Sequence, residues 1–176
     1  MKQHTLPSWE LKLKGGTRLT IRPITLSDQT MEKAFFEQLS QESRHYRFLG
    51  GVSELSSQTL AKLCDMDYCH DMAFLAVINS GKEEQIIGVV RYAEDPKSPH
   101  VAELAVTVAD DWQHQGIATE LLTRLIQYAQ SKGIKKIYSV DSYANRKMQQ
   151  LASDFGFKSH PDPDDSTQVI YEIDIS

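Results

Sequence analysis

A helical stripe of apolar residues between two strand-like runs limits the folds open to this chain. Its members are Ile117, Ala118, Leu121, Leu122, Leu125, Ile126 and Ala129, spaced as one face of an amphipathic helix. Lys132 and Gly133 predict the end of that helix. The runs on either side, 101–108 and 134–140, predict strands. A strand, an amphipathic helix and a strand in this order indicate an α/β architecture in which the helix covers a sheet.

The rest of the chain continues the mixture of strands and helices. Alternating apolar and polar residues predict strands at 9–14 and 17–22, joined by a hairpin at Gly15-Gly16. Further strands are expected at 72–78, 86–92 and 168–175, and helices at about 28–41, 56–64 and 145–155. We therefore expect one domain over residues 1–176, with a mixed, mostly antiparallel sheet flanked by about four helices. Residues 1–16 would form an N-terminal strand and hairpin extension.

Composition excludes several classes of function. The formal net charge is -5, which argues against a nucleic-acid or anionic-membrane surface. The N-terminal residues lack the apolar core of a signal peptide, and no stretch is long enough to span a membrane. Cys64, Cys69 and His70 lack the second ligand pair of a zinc site. We expect a cytoplasmic protein with reduced thiols, no metal, and neither a nucleic-acid nor a membrane partner.

The segment from Gln113 to Ala118 reads QHQGIA and introduces the long helix. A helix N-terminus offers unpaired N–H groups and the positive end of the helix dipole, which together bind phosphate. Gly116 would let the main chain approach such a group, Ala118 would leave the next turn bare, and Thr119 would add a hydroxyl donor. The lysine of a nucleotide-binding P-loop and the three glycines of a dinucleotide site are both missing. A plain strand-to-helix turn remains the alternative.

Glu103 is the single carboxylate in an otherwise apolar run of residues, 101–108. Strand alternation places Glu103 on one face with Ala105 and Thr107. Such a carboxylate is paired, is hydrated in a cleft, or has a raised pKa. The sequence leaves two alternatives: a cross-strand ion pair with Arg91, or a general base facing a cleft.

Taken in order, these features make the chain resemble the GNAT family of N-acetyltransferases. The family pattern is Gln or Arg, two residues, Gly, one residue, and Gly or Ala, which Gln113, Gly116 and Ala118 match. The second hallmark is an Asn that opens a later helix ending in Gly-Phe, here Asn145 and Gly156-Phe157. The resemblance runs from Arg18 to the final predicted strand, and it implies the GNAT fold with splayed central strands.

A closer likeness is to the acetyltransferase domain of bacterial protein-lysine acetyltransferases. It is carried by residues 21–24, by 39–48 with the sequence LSQESRHYRF, and by 102–106. In that subgroup residues 44–48 would border the acceptor cleft, and Glu103 would be the general base. The amine freed of its proton would attack the thioester of acetyl-CoA, with a main-chain N–H near Val106 stabilising the oxyanion.

The resemblance also implies which residues bind acetyl-CoA. The pantetheine arm would pair with the main chain of one strand and with a side chain across the cleft, and the diphosphate would lie on the turn before the long helix. The residues concerned are Val106, Thr107, Val108, Gln113, His114, Gln115, Gly116, Ile117, Ala118, Thr119 and Asn145.

One position departs from the family pattern. Many members have a tyrosine four residues before the glycine of Gly-Phe as a general acid, and this chain has Ala152 there. Water or another group, such as Tyr143, would then protonate the thiolate. The expected activity is acetyl transfer to a primary amine, which is a protein lysine or a small molecule. A non-catalytic acetyl-CoA sensor is the rival from another class, and neither the acyl-chain preference nor the oligomeric state follows from the sequence.

Overall fold

The structure, a computed structural model, describes residues 5–48 and 55–176, with side chains for 5–46 and 55–176. Eight strands form one sheet: Trp9–Lys12 (β1), Arg18–Pro23 (β2), Asp71–Ser80 (β3), Glu83–Glu94 (β4), Val101–Val108 (β5), Lys136–Ser142 (β6), Lys158–Pro161 (β7) and Gln168–Asp174 (β8). Their order across the sheet is β1-β2-β3-β4-β5-β6-β8-β7.

Helices flank this sheet: Gln29–Gln38 (α1), Gln41–Phe48 (α2), Ser57–Cys64 (α3), Ile117–Ser131 (α4) and Arg146–Asp154 (α5). In α4 the predicted stripe is the buried side, because Leu121, Leu122, Leu125 and Ala129 have no exposed surface. Burial of each leucine stabilises the fold by about 1.5–3 kcal/mol. Gly133, with a left-handed φ of 84°, follows the C-cap residue of α4.

Neighbouring strands are antiparallel at every pairing except one. Strands β5 and β6 are parallel, because α4 crosses from the end of β5 back to the start of β6. Their pairing covers only Val101–Glu103 against Lys136–Tyr138. Beyond that point, within residues 5–48 and 55–176, β5 pairs only with β4, and β6 pairs only with β8. The two strands therefore separate toward their carboxyl ends.

The two faces of the sheet carry different helices. At Gly88 in β4, a Cβ atom would lie 3.0 Å from Leu121 and 3.3 Å from Ile117, so α4 rests almost on the strand backbone. The opposite face of β4 carries Arg91, whose guanidinium donates to Glu32 of α1 at 3.2 Å and to the Leu63 carbonyl of α3 at 3.0 Å. Helices α1 and α3 thus cover the face opposite α4.

The predicted fold class is confirmed: the sheet is mixed, mostly antiparallel and flanked by helices, with separated central strands. The predicted hairpin at Gly15-Gly16 joins β1 to β2, although β1 ends two residues earlier than expected. Of the proposed N-terminal extension, residues 1–4 lie outside the described residues.

The helix expected over about 28–41 forms as α1 and ends at Gln38. A second helix, α2, was not predicted, which gives five in the described residues rather than about four. Leu39 is extended, with φ -66° and ψ 141°, and ends α1. Ser40 then caps α2, because its hydroxyl accepts the Ser43 N–H at 3.1 Å. The Ser40 N–H donates to the Asp110 carboxylate at 2.9 Å. This contact across 70 residues fixes the break.

Strand β7 was not predicted from the sequence. Its four residues are all exposed and include Pro161, so they carry no apolar alternation. The strand lies at the sheet edge and pairs only with β8. Tertiary pairing rather than local pattern makes this segment a strand.

None of the helices in the described residues is both long enough and apolar enough to cross a bilayer.

We expect Gly88→Ala to lower the free energy of unfolding by about 1–3 kcal/mol, because the added methyl group overpacks the contact with α4. Gly15→Ala is the matched control, since a Cβ there meets nothing within 4 Å and Gly15 has no left-handed φ. The control should change stability by less than about 0.5 kcal/mol in urea denaturation. Equal losses in the two variants would contradict the packing described at Gly88.

Candidate active site

The turn before α4 brings its main chain to the surface of a cleft. Strand β5 ends at Val108, a 3-10 turn spans Asp110–Trp112, and Gly116 is the N-cap residue of α4. Both His114 and Gly116 are left-handed, with φ of 64° and 80°. Besides the predicted close approach of the main chain, the left-handed φ gives a conformational reason for glycine at position 116. A Cβ at Gly116 would meet nothing within 4 Å, so this turn faces open space.

The first turn of α4 has unused hydrogen-bond donors. Among the described residues, no acceptor is hydrogen-bonded to the main-chain N–H of Ile117, Ala118 or Thr119, and no side chain caps the helix. A fifteen-residue helix presents the positive end of its dipole at the same point. Three aligned donors at such an end suit a phosphate group.

These donors open onto a cleft of about 690 Å³ between the separated strands. The volume is that of a pocket for a large organic ligand. Val106, Thr107 and Val108 form the β5 wall, and α2 contributes Glu42 and Tyr46. The opposite wall comes from the end of β6 and from α5, with Asp141 and Asn145 among its residues.

Side-chain hydrogen bonds join the walls across the cleft. The single proton of the Tyr46 hydroxyl lies between the Glu42 carboxylate at 3.0 Å and the Ala144 carbonyl at 3.3 Å, which brings α2 against the loop after β6. Gln113 donates to the Val108 carbonyl at 3.2 Å and accepts a hydrogen bond from Lys147 of α5. Of the segment expected to border the acceptor cleft, the side chains of residues 47–48 lie outside the described ones.

Asn145 opens α5, as predicted, and its side chain bonds in two directions. Its Oδ1 accepts the Met148 N–H at 3.2 Å, which caps the helix. Its Nδ2 donates to Asp141 Oδ1 at 3.2 Å and to Oδ2 at 3.3 Å. Asp141 Oδ1 also accepts the Ser142 N–H at 2.7 Å. Asp141 therefore holds the amide of Asn145 in place at the cleft wall.

Asp141 was missed by the sequence analysis. Only 8% of its surface is exposed. Burial raises the pKa of its carboxyl group to about 6, although the hydrogen bonds from Asn145 and Ser142 act in the opposite direction. Like Glu103, Asp141 is a carboxylate in a strand of apolar residues, but the strand predicted over 134–140 ends one residue before it, whereas β6 continues to Ser142.

Glu103 is the last β5 residue paired with β6, at the point where the strands separate. The side chain is exposed and lies on the face opposite α4, with Ala93 and Tyr138 as its register partners. Burial, together with the charges of Glu103 and Asp95, raises the pKa of the Tyr138 hydroxyl. Glu103 is not among the residues that line the cleft.

The alternative interpretation of Glu103, an ion pair with Arg91, is wrong. In the β4–β5 register Arg91 lies opposite Ala105. Its guanidinium points under α1 to Glu32, at 3.2 Å. The sequence could not reveal this, because strand register decides which side chains face each other.

The structure brings most predicted cofactor-binding residues to one cleft. All of them except Gln115 line it: Val106, Thr107, Val108, Gln113, His114, Gly116, Ile117, Ala118, Thr119 and Asn145. Ala152, the position of the family's tyrosine, is buried in α5, and Tyr143 is 49% exposed outside the cleft lining. The roles of these residues stay predictions.

Comparison with known proteins identifies the kind of protein that shares this arrangement. The model of the Acetyltransferase (GNAT) family matches residues 33–157. Acetyltransferase PA5475 of Pseudomonas aeruginosa is 41% identical over 165 residues, which cover 94% of this chain and 88% of that protein. Acetyltransferase Pat of Mycolicibacterium smegmatis is 26% identical over 141 residues, and this chain matches only 41% of its length.

A solved structure extends the similarity to the fold. The GNAT domain of S. lividans PAT superposes with a TM-score of 0.85 at 27% identity, covering 95% of this chain and 96% of that domain. The family and fold class predicted from the sequence are thereby confirmed. The family match spans most of the chain, and a named acetyltransferase is 41% identical along nearly all of it. The chain therefore belongs to the GNAT family of N-acetyltransferases.

Proposed function

We propose that this protein transfers the acetyl group of acetyl-CoA to a primary amine, with Glu103 as the general base. The unsatisfied amides of Ile117–Thr119, at the mouth of a cleft between separated strands, carry the proposal. They fit a diphosphate, and the gap between β5 and β6 in which the cleft lies begins after Glu103, the last paired position of β5. Residues 1–176 are proposed to act as one acetyltransferase domain.

The residues of the cleft have separate tasks in binding. The amides at the α4 N-terminus and the helix dipole would hold the diphosphate. Among the described residues, the edge of β5 at Val106–Val108 has no partner strand on its β6 side. Apart from the Val108 carbonyl, which accepts from Gln113, the main-chain groups on that edge would pair with the pantetheine amides. When bound, acetyl-CoA supplies the acetyl group as an activated thioester.

Glu103 would handle the proton of the acceptor. A lysine ammonium has a pKa of about 10.4, so nearly all of it is protonated and non-nucleophilic at neutral pH. The exposed Glu103 carboxylate would accept that proton from the amine nitrogen, directly or through a water molecule.

The chain's own thiols are poorly placed to carry the acetyl group. Cys64 is buried, and this burial raises the pKa of its thiol to about 11, so the reactive thiolate is scarce at neutral pH. Cys69 is exposed, but it does not line the cleft. Direct transfer from cofactor to amine is therefore favoured over a covalent enzyme intermediate.

We propose a protein lysine as the acceptor class. The sheet face around Glu103 is open: Tyr138 and Val140 of β6 and Ile170 of β8 are only partly buried, and β7 is exposed throughout. An open surface of this kind can meet a folded partner, whereas a small amine is usually enclosed by a pocket. The likeness to protein-lysine acetyltransferases supports the same class.

We expect Gly116→Ala to weaken CoA binding at least tenfold, because the new methyl group would enter the open space before the turn that the diphosphate would occupy. Gly133→Ala is the matched control at the other end of α4. Both glycines are left-handed, with φ of 80° and 84°, and neither Cβ would meet an atom within 4 Å. Backbone strain of about 1–2 kcal/mol should therefore lower the stability of both variants equally.

Isothermal titration calorimetry with CoA separates the two effects. Only Gly116→Ala should lose affinity. Equal affinities in the two variants would rule out the α4 N-terminus as the phosphate site.

We expect Glu103→Gln to lower kcat by about 10²–10⁴-fold without changing CoA affinity, since only the proton acceptor is removed. Glu10→Gln, an exposed glutamate on distant β1, should leave kcat unchanged. Free-thiol release from acetyl-CoA measures the rate, and mass spectrometry with labelled acetyl-CoA across lysine peptides, proteins and small amines identifies the acceptor.

The kinetic assay and the acceptor screen distinguish the general-base, sensor and lysine-acceptor hypotheses. A Glu103→Gln variant with normal kcat would show that Glu103 is not the base. Tight CoA binding without turnover on any acceptor would favour a sensor over an enzyme. Turnover on small amines but on no protein or peptide would contradict the lysine acceptor alone.

A further inference from the structure

Asp141 places a buried carboxylate inside the cleft that the proposed function assigns to an anionic cofactor. It lines the cleft from the end of β6, and 8% of its surface is exposed. The donors that contact it are neutral: the Ser142 N–H and the Asn145 amide. In the described part of the chain, Asp141 forms no ion pair. A buried carboxylate without a cation is costly in its charged form.

The surroundings do not supply that missing cation. Tyr46 of α2 and Tyr171 of β8 are close enough for the Asp141 charge to help burial raise the pKa of each phenol. The charged and titratable side chains of the same cleft are Glu42 of α2, His114 of the turn, and Arg146, Lys147 and Asp154 of α5. Lys147 is hydrogen-bonded to Gln113 instead. Burial accordingly dominates, and the pKa of Asp141 rises to about 6.

Ligand binding in the cleft would raise the free energy of the ionised Asp141 carboxylate in two ways. A bound ligand displaces water from the wall on which Asp141 lies, so the carboxylate loses hydration. Coenzyme A also carries a diphosphate and a 3′-phosphate, whose negative charges oppose a nearby carboxylate. Both effects favour the protonated form.

We propose that Asp141 is a positioning residue of the cofactor site, which holds the Asn145 amide and takes up a proton when CoA enters the cleft. The proton comes from solvent and binds a carboxylate oxygen. The other oxygen still accepts the Asn145 hydrogen bond, so the wall keeps its geometry. This inference rests on CoA binding in this cleft, and it adds a proton to that binding equilibrium.

The first test is calorimetry of CoA binding at pH 7 in two buffers of different ionisation enthalpy. Wild type should take up about 0.3–0.9 proton more per site than Asp141→Asn. Comparison with this variant cancels any proton exchanged by the ligand's own phosphates. Asp174→Asn is the control and should behave like wild type. Asp174 is the last residue of β8, whereas Asp141 pairs with Val169 near the start of that strand. Its carboxylate is exposed and accepts a hydrogen bond from the Ser176 N–H.

The outcomes separate this inference from the proposed function. CoA binding with no difference in proton uptake between wild type and Asp141→Asn, or with net release, would overturn the proton uptake alone. An absence of CoA binding in every variant would overturn both proposals.

The pH dependence of affinity tests the positioning role. From pH 6 to pH 8, wild-type affinity for CoA should fall about tenfold relative to Asp141→Asn, whose amide oxygen can still accept from Asn145. Asp141→Leu keeps no acceptor and should bind CoA about tenfold more weakly than Asp141→Asn at both pH values. Parallel pH profiles for wild type and Asp141→Asn, or equal affinities for the Asn and Leu variants, would overturn the role.

Thermal unfolding provides a control that needs no ligand. The folded-state pKa of Asp141 is raised, so its favourable contribution exists at low pH and is lost as pH rises through about 6. At pH 7.5 we expect Asp141→Asn to unfold about 5 °C above wild type, with the gain shrinking toward pH 4. A variant no more stable than wild type at pH 7.5 would contradict the buried, unpaired state of Asp141.

Discussion

The separation of β5 from β6 is the constraint on which the rest of the molecule depends. Only the positions up to Glu103 and Tyr138 pair, and each strand then keeps one partner, on its other side. A sheet rarely leaves main-chain groups unpaired next to a buried core, because each costs free energy unless something else satisfies it. Here a cleft lies where hydrogen bonds between β5 and β6 would otherwise continue. The amphipathic helix of the parallel connection also begins at the mouth of that cleft, so the gap and the unused amides of Ile117–Thr119 lie together.

The cleft combines opposite electrostatic features within one cavity. The N-terminus of α4 is positive through aligned peptide dipoles and unused amides. Asp141, on the facing wall, is negative and buried. The proposed binding of a polyanion would be simpler without that carboxylate. Its hydrogen bonds to Asn145 explain its presence structurally, because an asparagine amide that also caps α5 needs a fixed acceptor for its own N–H group. The site thus gains a rigid wall and a titratable group from the same side chain.

Local sequence patterns predicted much of the fold. Short segments carry the signals that predicted most of the elements. These signals are the period of the 117–129 stripe, the alternation in the strands and the capping residues of α3 and α5. Tertiary contacts determined the remainder. The break at Leu39 depends on Asp110, and β7 depends on pairing with β8. In the site, Gly116 and Asn145 lie in a recognisable order, whereas the partner of Arg91 depends on strand register. Asp141 was overlooked because the strand continues past the last apolar residue.

The near-contact of α4 with the backbone at Gly88 links a core position to the N-terminus of that helix, which opens onto the cleft. Leu121 and Ile117 both touch that spot, and Ile117 is also the first residue of α4, whose N–H faces the cleft. A bulkier residue in the middle of β4 would press on this end of the helix and displace its leading amides. A substitution deep in the sheet would then change the geometry of the unused amides at the cleft mouth, although residue 88 itself lies in the interior.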